Sequence, residues 1–152
     1  MYKNTKLNEY EFSNVCTQED INYLWEGITQ YNLTIGPMSS YSVYKPYRLV
    51  IRDEKNVIIA GILTKIYLNS MHVELLWINQ SYRKMGLGTK LLAEAEQTAI
   101  KNGCTFIYLD TFSFQAIDFY KKHCYEVFAV LCDFPDDIKQ YYLRKKFNSS
   151  TI

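Results

Sequence analysis

The spacing of apolar residues predicts one strand and one helix before residue 45. Residues 5–16 carry the pattern of a strand, and T-Q-E-D at 17–20 is typical of a helix start with acids in its first turn. A helix over 18–31 follows, and residues 32–45 are expected to form a loop or a short helix. The apolar residues of the predicted helix share one stripe: Ile21, Leu24, Trp25 and Ile28.

The next part of the chain has the pattern of strands. Residues 47–52 and 57–67 flank the sequence D-E-K-N, which is a natural hairpin turn. Residues 72–78 form a third predicted strand. Together the three strands indicate an antiparallel meander.

A helical period then replaces the strand period. Residues 86–103 predict a helix, and Gly103 suits its carboxyl-terminal cap. Residues 105–109 form a short apolar strand of the kind that is buried on both faces. Because a strand, a helix and a strand succeed one another here, strands 72–78 and 105–109 should be parallel in a β-α-β unit.

The end of the chain completes a mixed sheet. A shorter helix is predicted over 116–123, and strands 126–132 and 140–146 can pair as a hairpin. The predicted fold class is α/β (α+β), with a mixed, mostly antiparallel central sheet and helices on both faces. Residues 1–152 are expected to form a single domain.

Composition indicates a globular protein. Hydrophobic residues make up 48% of the chain, charged residues 22%, and the net charge of +1 argues against a nucleic-acid partner. The chain has no apolar run long enough for a secretory signal or a membrane span. The four cysteines form no C-x-x-C pair and are expected to be reduced thiols, so a cytoplasmic location is expected.

The segment Arg83–Lys90 (RKMGLGTK) carries the most informative chemistry. It joins a predicted strand to a strong helix, and a helix amino terminus presents unpaired N–H groups and about half a positive charge. Gly86 and Gly88 lack a Cβ atom, so an anion can approach the backbone, and Arg83 and Lys84 add positive charge. These features suit a pyrophosphate.

This segment matches neither of two other known phosphate-binding patterns that are rich in glycine. A P-loop requires G-x-x-x-x-G-K-[ST], and a dinucleotide fingerprint requires a third glycine where this chain has Leu91. Taken alone, the segment is equally compatible with a glycine turn that only starts a helix.

R-x-x-G-x-G at 83–88 resembles the acetyl-coenzyme A motif of the GCN5-related N-acetyltransferase (GNAT) superfamily. Residues 116–125 (AIDFYKKHCY) resemble a second family segment, a helix that ends in Tyr-x-x-x-Gly-Phe. Cys124 and Tyr125 replace the last two residues of that pattern, and Ser113 stands where many members carry asparagine. The resemblance extends over about residues 5–147 and includes a bacterial subgroup of small acetyltransferases.

The resemblance implies acetyl-coenzyme A as cosubstrate. The backbone at 83–89 would hold its pyrophosphate, and strand residues 76–78 would pair with its pantetheine arm, beside a splay between strands 72–78 and 105–109. The implied binding residues are Leu76, Trp77, Ile78, Arg83, Lys84, Met85, Gly86, Leu87, Gly88, Thr89, Ser113 and Tyr120.

The resemblance also implies roles in transfer to a primary amine. Tyr120 would be the general acid at the sulfur, although its spacing also fits a core aromatic residue. Glu74 would be the general base. His72 lies two residues away on the same strand face and is an alternative, as is a chain of waters. The amide of Ile78 or Trp77 would face the thioester oxygen.

The acceptor and the partners stay open. Candidate amines are a polyamine, an amino sugar, an amino acid or a protein amino group, and a homodimer is a further expectation. The alternatives to N-acetylation are another acyl group or acceptor, or a module that binds acetyl-coenzyme A without turnover. Aromatic and amide residues that could wall the acceptor are Trp25, Tyr31, Asn32, Tyr41, Tyr44, Tyr141 and Tyr142.

Overall fold

The computed structural model describes residues 12–35 and 44–147, which form two units that are described separately. The first unit holds helix α1, Gln18–Ile35. Its start is fixed by Asp20, whose carboxylate accepts hydrogen bonds of 2.7 Å from both the N–H and the hydroxyl of Thr17.

The prediction of a strand before α1 was wrong for the residues described, and the helix runs past its predicted end at residue 31. Residues 12–17 contain no strand, while 5–11 of the predicted strand lie outside the described residues. The helix also continues through residues 32–35, where a loop or a short helix was expected, and residues 36–43 of that stretch lie outside the described residues. Since no glycine or proline interrupts this stretch before Gly36, nothing in it stops the helix.

The described residues of the second unit form a mixed sheet and two α-helices, which confirms the predicted fold class. The strand order is β1-β2-β3-β4-β6-β5, and β3 with β4 is the parallel pair of this sheet. The strands are β1 Lys45–Arg52, β2 Ile58–Tyr67, β3 Ser70–Ile78, β4 Phe106–Phe112, β5 Glu126–Leu131 and β6 Gln140–Lys146. The helices are α2 Leu87–Lys101, between β3 and β4, and α3 Ile117–Lys122, between β4 and β5.

The core lies between α2 and one face of the sheet. Leu92 is fully buried there, as are Ile62, Ile107 and Leu143 from three different strands. Tyr120 brings α3 into the same cluster. Helix α2 ends at its carboxyl terminus as predicted. Gly103 there adopts a left-handed φ of +74°, and its N–H donates to the Ile100 carbonyl at 2.9 Å.

The parallel pair opens into a fork, which confirms the predicted splay. Pairing of β3 with β4 runs from Ser70 opposite Phe106 to Val73 opposite Leu109. β3 then continues to Ile78 beside β2, and β4 continues to Phe112 beside β6. The two strands therefore separate after residues 73 and 109, and we call the gap between them the fork.

Cys124 occupies the position where the resembled motif has glycine, and its backbone is left-handed, with φ of +67°. Such a conformation costs an ordinary residue about 1–2 kcal/mol, whereas glycine adopts it freely. Cys124→Gly should therefore stabilise the protein by about 0.5–1 kcal/mol, after the greater chain entropy of glycine in the unfolded state is subtracted. Urea unfolding would measure the change. Cys124→Ala keeps the strain, so an equal gain in that variant would contradict this reading.

Candidate active site

A cavity of about 1030 Å³ opens at the fork. It is bounded by β3 on one side and β4 on the other, with the start of α2 and the start of α3 completing its wall. The cavity lies wholly within the second unit. Its lining consists of Glu74, Leu75, Leu76, Trp77, Ile78, Tyr82, Arg83, Lys84, Gly86, Leu87, Gly88, Thr89, Asp110, Thr111, Phe114, Gln115, Ala116, Phe119 and Tyr120.

The amino terminus of α2 supplies hydrogen-bond donors to this cavity. The first backbone bond of the helix runs from the N–H of Lys90 to the carbonyl of Gly86 at 3.1 Å. The N–H groups of residues 87–89 precede that bond, and Gly86 at the cap has no side chain to satisfy them. The first turn carries no acidic residue, so the positive end of the helix dipole is not neutralised there.

The two glycines of this turn have different functions. Gly86 needs its freedom for a left-handed φ of +80°, and a Cβ built on it would meet no atom within 4 Å. A Cβ on Gly88 would instead lie 3.3 Å from Cζ of Phe119. Gly88 lines the cavity, and its lack of a side chain also allows Phe119 of α3 to pack against α2.

Two basic residues, Arg83 and Lys84, are exposed and line the cavity just before α2. The Arg83 guanidinium Nε donates to the carbonyl of Ile78 at 3.3 Å, which holds the side chain against the end of β3. Lys84 adopts a left-handed φ of +65°, so the loop bends sharply just before the helix. Met85 is 64% exposed and lies outside the lining of the cavity.

Tyr120 reaches the cavity from α3 and is 7% exposed. Burial raises the pKa of its phenol to about 12, and the negative charge of Asp110 contributes to the rise. The hydroxyl group makes no hydrogen bond within the described residues, so it is free to donate to a group in the cavity. The residue is therefore both part of the core and part of the cavity wall.

The two candidate bases on β3 are in different surroundings. Glu74 lines the cavity, but its Oε1 atom lies 2.8 Å from the Nζ atom of Lys65. His72 lies outside the lining and stacks on Tyr108, with 4.6 Å between ring centroids. Burial, and then the charge of Lys65, lower the pKa of His72 and keep its imidazole neutral.

The sequence analysis missed the contribution of β4 and the turn after it. Asp110 and Thr111 both line the cavity, because β4 extends three residues beyond its predicted end. Gln115 orders the turn: its Oε1 atom accepts from the Thr111 hydroxyl at 3.0 Å and from the Phe112 N–H at 2.9 Å. Residues 110–112 belong to the strand because they pair with β6, and no local pattern in the sequence indicates that pairing.

Ser113 and the proposed acceptor wall do not gather at this cavity. The N–H of Ser113 donates to the carbonyl of Lys139 and its hydroxyl accepts from the N–H of that residue, so it ties the turn to the start of β6. Tyr44, Tyr141 and Tyr142 are absent from the lining. Trp25, Tyr31 and Asn32 belong to the first unit, and Tyr41 lies outside the described residues.

Within the described ranges, no set of three or more His, Cys, Asp or Glu side chains is arranged to hold a metal ion. No described helix combines the length and the apolar character that crossing a membrane requires.

Comparison with known proteins defines the class of this enzyme as an acyltransferase. The chain belongs to the acetyltransferase (GNAT) family, whose model matches residues 17–124. It is 33% identical to the blasticidin-S acetyltransferase of Streptomyces morookaense over 111 residues, which is 72% of this chain and 77% of that protein. The resemblance seen in the sequence is thereby confirmed.

Solved structures share the fold. An acetyltransferase from Bacillus cereus superposes with a TM-score of 0.79 at 33% identity, covering 93% of this chain and all of that one. A Bacillus anthracis acetyltransferase structure in complex with acetyl coenzyme A has a TM-score of 0.62 at 22% identity, over 74% of this chain and 73% of that one.

Proposed function

We propose that the protein transfers an acetyl group from acetyl-coenzyme A to a primary amine of a small molecule. The observation that carries this proposal is the row of free N–H groups at residues 87–89, which opens on the cavity at the fork. Such a row, at the positive end of a helix, is suited to a phosphate group.

The diphosphate of the cosubstrate would bind at the start of α2. Each phosphate oxygen would accept from backbone N–H groups of residues 86–89, and the charges of Arg83 and Lys84 would add attraction. The left-handed backbone at Gly86 keeps this approach open, since no atom lies within 4 Å of the space that a side chain would take.

The pantetheine arm would lie along the free edge of β3. The N–H of Asn79 donates to the Ile59 carbonyl of β2 at 2.8 Å. Because hydrogen-bonding direction alternates along a strand, Trp77 also faces β2, while the backbone groups of Leu76 and Ile78 face the fork. Of the three strand residues named from the sequence, this geometry supports Leu76 and Ile78 as the pairing partners and leaves Trp77 as a cavity wall.

The thioester would then lie between the two strands, where the amine is held close to it. Holding the amine and the thioester together in this way can lower the activation barrier of acetyl transfer by roughly 7–11 kcal/mol at best. Of the two amides named for the thioester oxygen, that of Trp77 faces β2, so the N–H of Ile78 would donate to the developing oxyanion while Leu76 pairs with the pantetheine arm. The Tyr120 hydroxyl would protonate the departing sulfur, since its raised pKa keeps the phenol protonated at neutral pH.

Similarity to blasticidin-S acetyltransferase makes blasticidin S the first acceptor to test. The cavity supports a cationic acceptor in general, because two carboxylates line it and its walls include the aromatic rings of Trp77 and Phe114. The other classes to test are a polyamine, an amino sugar, an amino acid and a peptide amino group.

Two assays on the wild-type protein test the proposed function. Acetyl-coenzyme A should raise the unfolding temperature, because a ligand that binds only the folded state stabilises it. Release of free thiol should then be measured with blasticidin S, spermidine, kanamycin, L-lysine and a peptide with a free amino terminus. Thiol release with at least one amine is expected. Tight binding of the cosubstrate without thiol release from any amine would contradict N-acetylation of these classes.

A further inference from the structure

The fork places one carboxylate on each of its two strands. Val73 and Leu109 form the last pair of β3 and β4, so Glu74 and Asp110 are the first residues after the strands part. Both line the cavity. The site therefore offers two candidate groups for a positively charged acceptor, and the sequence analysis had named only Glu74.

Glu74 is already neutralised by a partner. Its Oε1 atom lies 2.8 Å from the Nζ atom of Lys65, and both side chains are about one third exposed. This ion pair raises the pKa of the Lys65 ammonium, mainly through the hydrogen bond to Glu74. An incoming ammonium group would have to compete with Lys65 for this carboxylate.

The neighbours of Asp110 leave its charge uncompensated. Its Oδ2 atom accepts from the Nε2 atom of Gln140 at 2.6 Å, and its Oδ1 atom faces the Nε2 atom of His72 at 3.6 Å. Gln140 is neutral, and burial lowers the pKa of the His72 imidazole, an effect that the charge of Lys65 strengthens and that of Asp110 opposes. The two neighbours orient the carboxylate without cancelling its negative charge.

Asp110 also acts on the other polar group of the cavity. Asp110 and Tyr120 both line the cavity, and the charge of Asp110 contributes to the raised pKa of the phenol. A negative group on one strand and a protonated hydroxyl group on the facing helix are the two groups that amine acylation requires.

We propose that Asp110, rather than Glu74, is the catalytic residue that binds the acceptor ammonium and takes its proton. This inference rests on the proposed function. It follows from three observations: Asp110 is at the first position of the fork, it lines the cavity, and its neighbours are a glutamine amide and a histidine at 3.6 Å, whereas Glu74 has a lysine ammonium at 2.8 Å.

The transfer balances in the following way. The acceptor ammonium gives one proton to Asp110, and its lone pair forms a C–N bond at the thioester carbon. The C–S bond breaks, the sulfur takes the phenol proton of Tyr120, and the second proton lost by the nitrogen restores that phenol. One proton in total passes through Asp110 to water, and the products are an acetamide and a free thiol.

Asp110→Asn tests the inference, with Glu74→Gln and the exposed Asp133→Asn for comparison. With the best acceptor of the amine panel, Asp110→Asn should lose at least about 100-fold in kcat/KM and Glu74→Gln less than about 10-fold. Asp133→Asn should keep the wild-type rate. All three should bind acetyl-coenzyme A as the wild type does, which shows that the fork is folded.

A pH series separates proton transfer from a purely structural loss. Without Asp110, the enzyme reacts only with amine that is already deprotonated in solution, so the deficit of Asp110→Asn should shrink from about pH 7 to about pH 9.5. A constant deficit, or a larger loss in Glu74→Gln than in Asp110→Asn, would overturn the inference alone. A wild-type protein that is inactive on every amine would overturn the proposed function together with it.

Discussion

Gly86→Glu should raise the dissociation constant for acetyl-coenzyme A by at least about 100-fold, which corresponds to about 2.7 kcal/mol. The space above Gly86 is open on the cavity side, so a glutamate would place its carboxylate where we propose that the diphosphate binds. The left-handed φ of +80° adds strain of about 1–2 kcal/mol for any residue with a Cβ atom. Calorimetric titration would measure the affinity.

Gly103→Glu is the matched control for this effect. Gly103 ends the same helix, has a similar φ of +74°, and likewise has no atom within 4 Å of a built Cβ. The control should lose stability by a similar amount but keep its affinity for acetyl-coenzyme A. Equal affinity losses in the two variants would mean that backbone strain, and not the blocked anion site, causes the effect.

Tyr120→Phe should reduce kcat by about 100-fold while the affinity for acetyl-coenzyme A stays unchanged. The phenylalanine ring keeps the packing of α3 on the core and removes only the hydroxyl group that faces the cavity. Since the pKa of this phenol is about 12, the wild-type group remains protonated throughout the usual assay range. Single-turnover thiol release would measure the loss.

Tyr125→Phe provides the comparison. Tyr125 is a second buried tyrosine, but its hydroxyl donates to Glu96 at 3.1 Å and the residue lies outside the lining of the cavity. Loss of that hydrogen bond should cost about 1 kcal/mol of stability without lowering kcat. A kcat in Tyr120→Phe as high as in Tyr125→Phe would show that the acid role belongs elsewhere.

The β-α-β unit could be predicted from the sequence because its signals are local and strong. The apolar stripe of α2 and the cap at Gly103 fix the helix, and the short apolar run after it fixes the start of β4. The glycine turn at Arg83–Gly88 could be recognised for the same reason, since backbone geometry there depends on glycine and on adjacent sequence.

The rest of the site depends on contacts between distant residues. Asp110 and Thr111 look like the polar end of a strand, but pairing with β6 continues the strand through them and brings Asp110 to the fork. The ion pair of Glu74 with Lys65 joins β3 to β2, and no spacing in the sequence indicates it. The need for glycine at position 88 likewise comes from Phe119, which lies 31 positions later and on another helix.

The most direct measurement compares two acetyl donors that share the thioester and the pantetheine arm, of which only one carries the diphosphate with its attached adenosine 3′-phosphate. Acetyl-coenzyme A and S-acetylpantetheine should each be titrated into the wild-type protein by calorimetry. Our account predicts that most of the binding free energy disappears with the diphosphate, because the free N–H groups at residues 87–89 then have no anion to bind. Equal affinity for the two donors would contradict it.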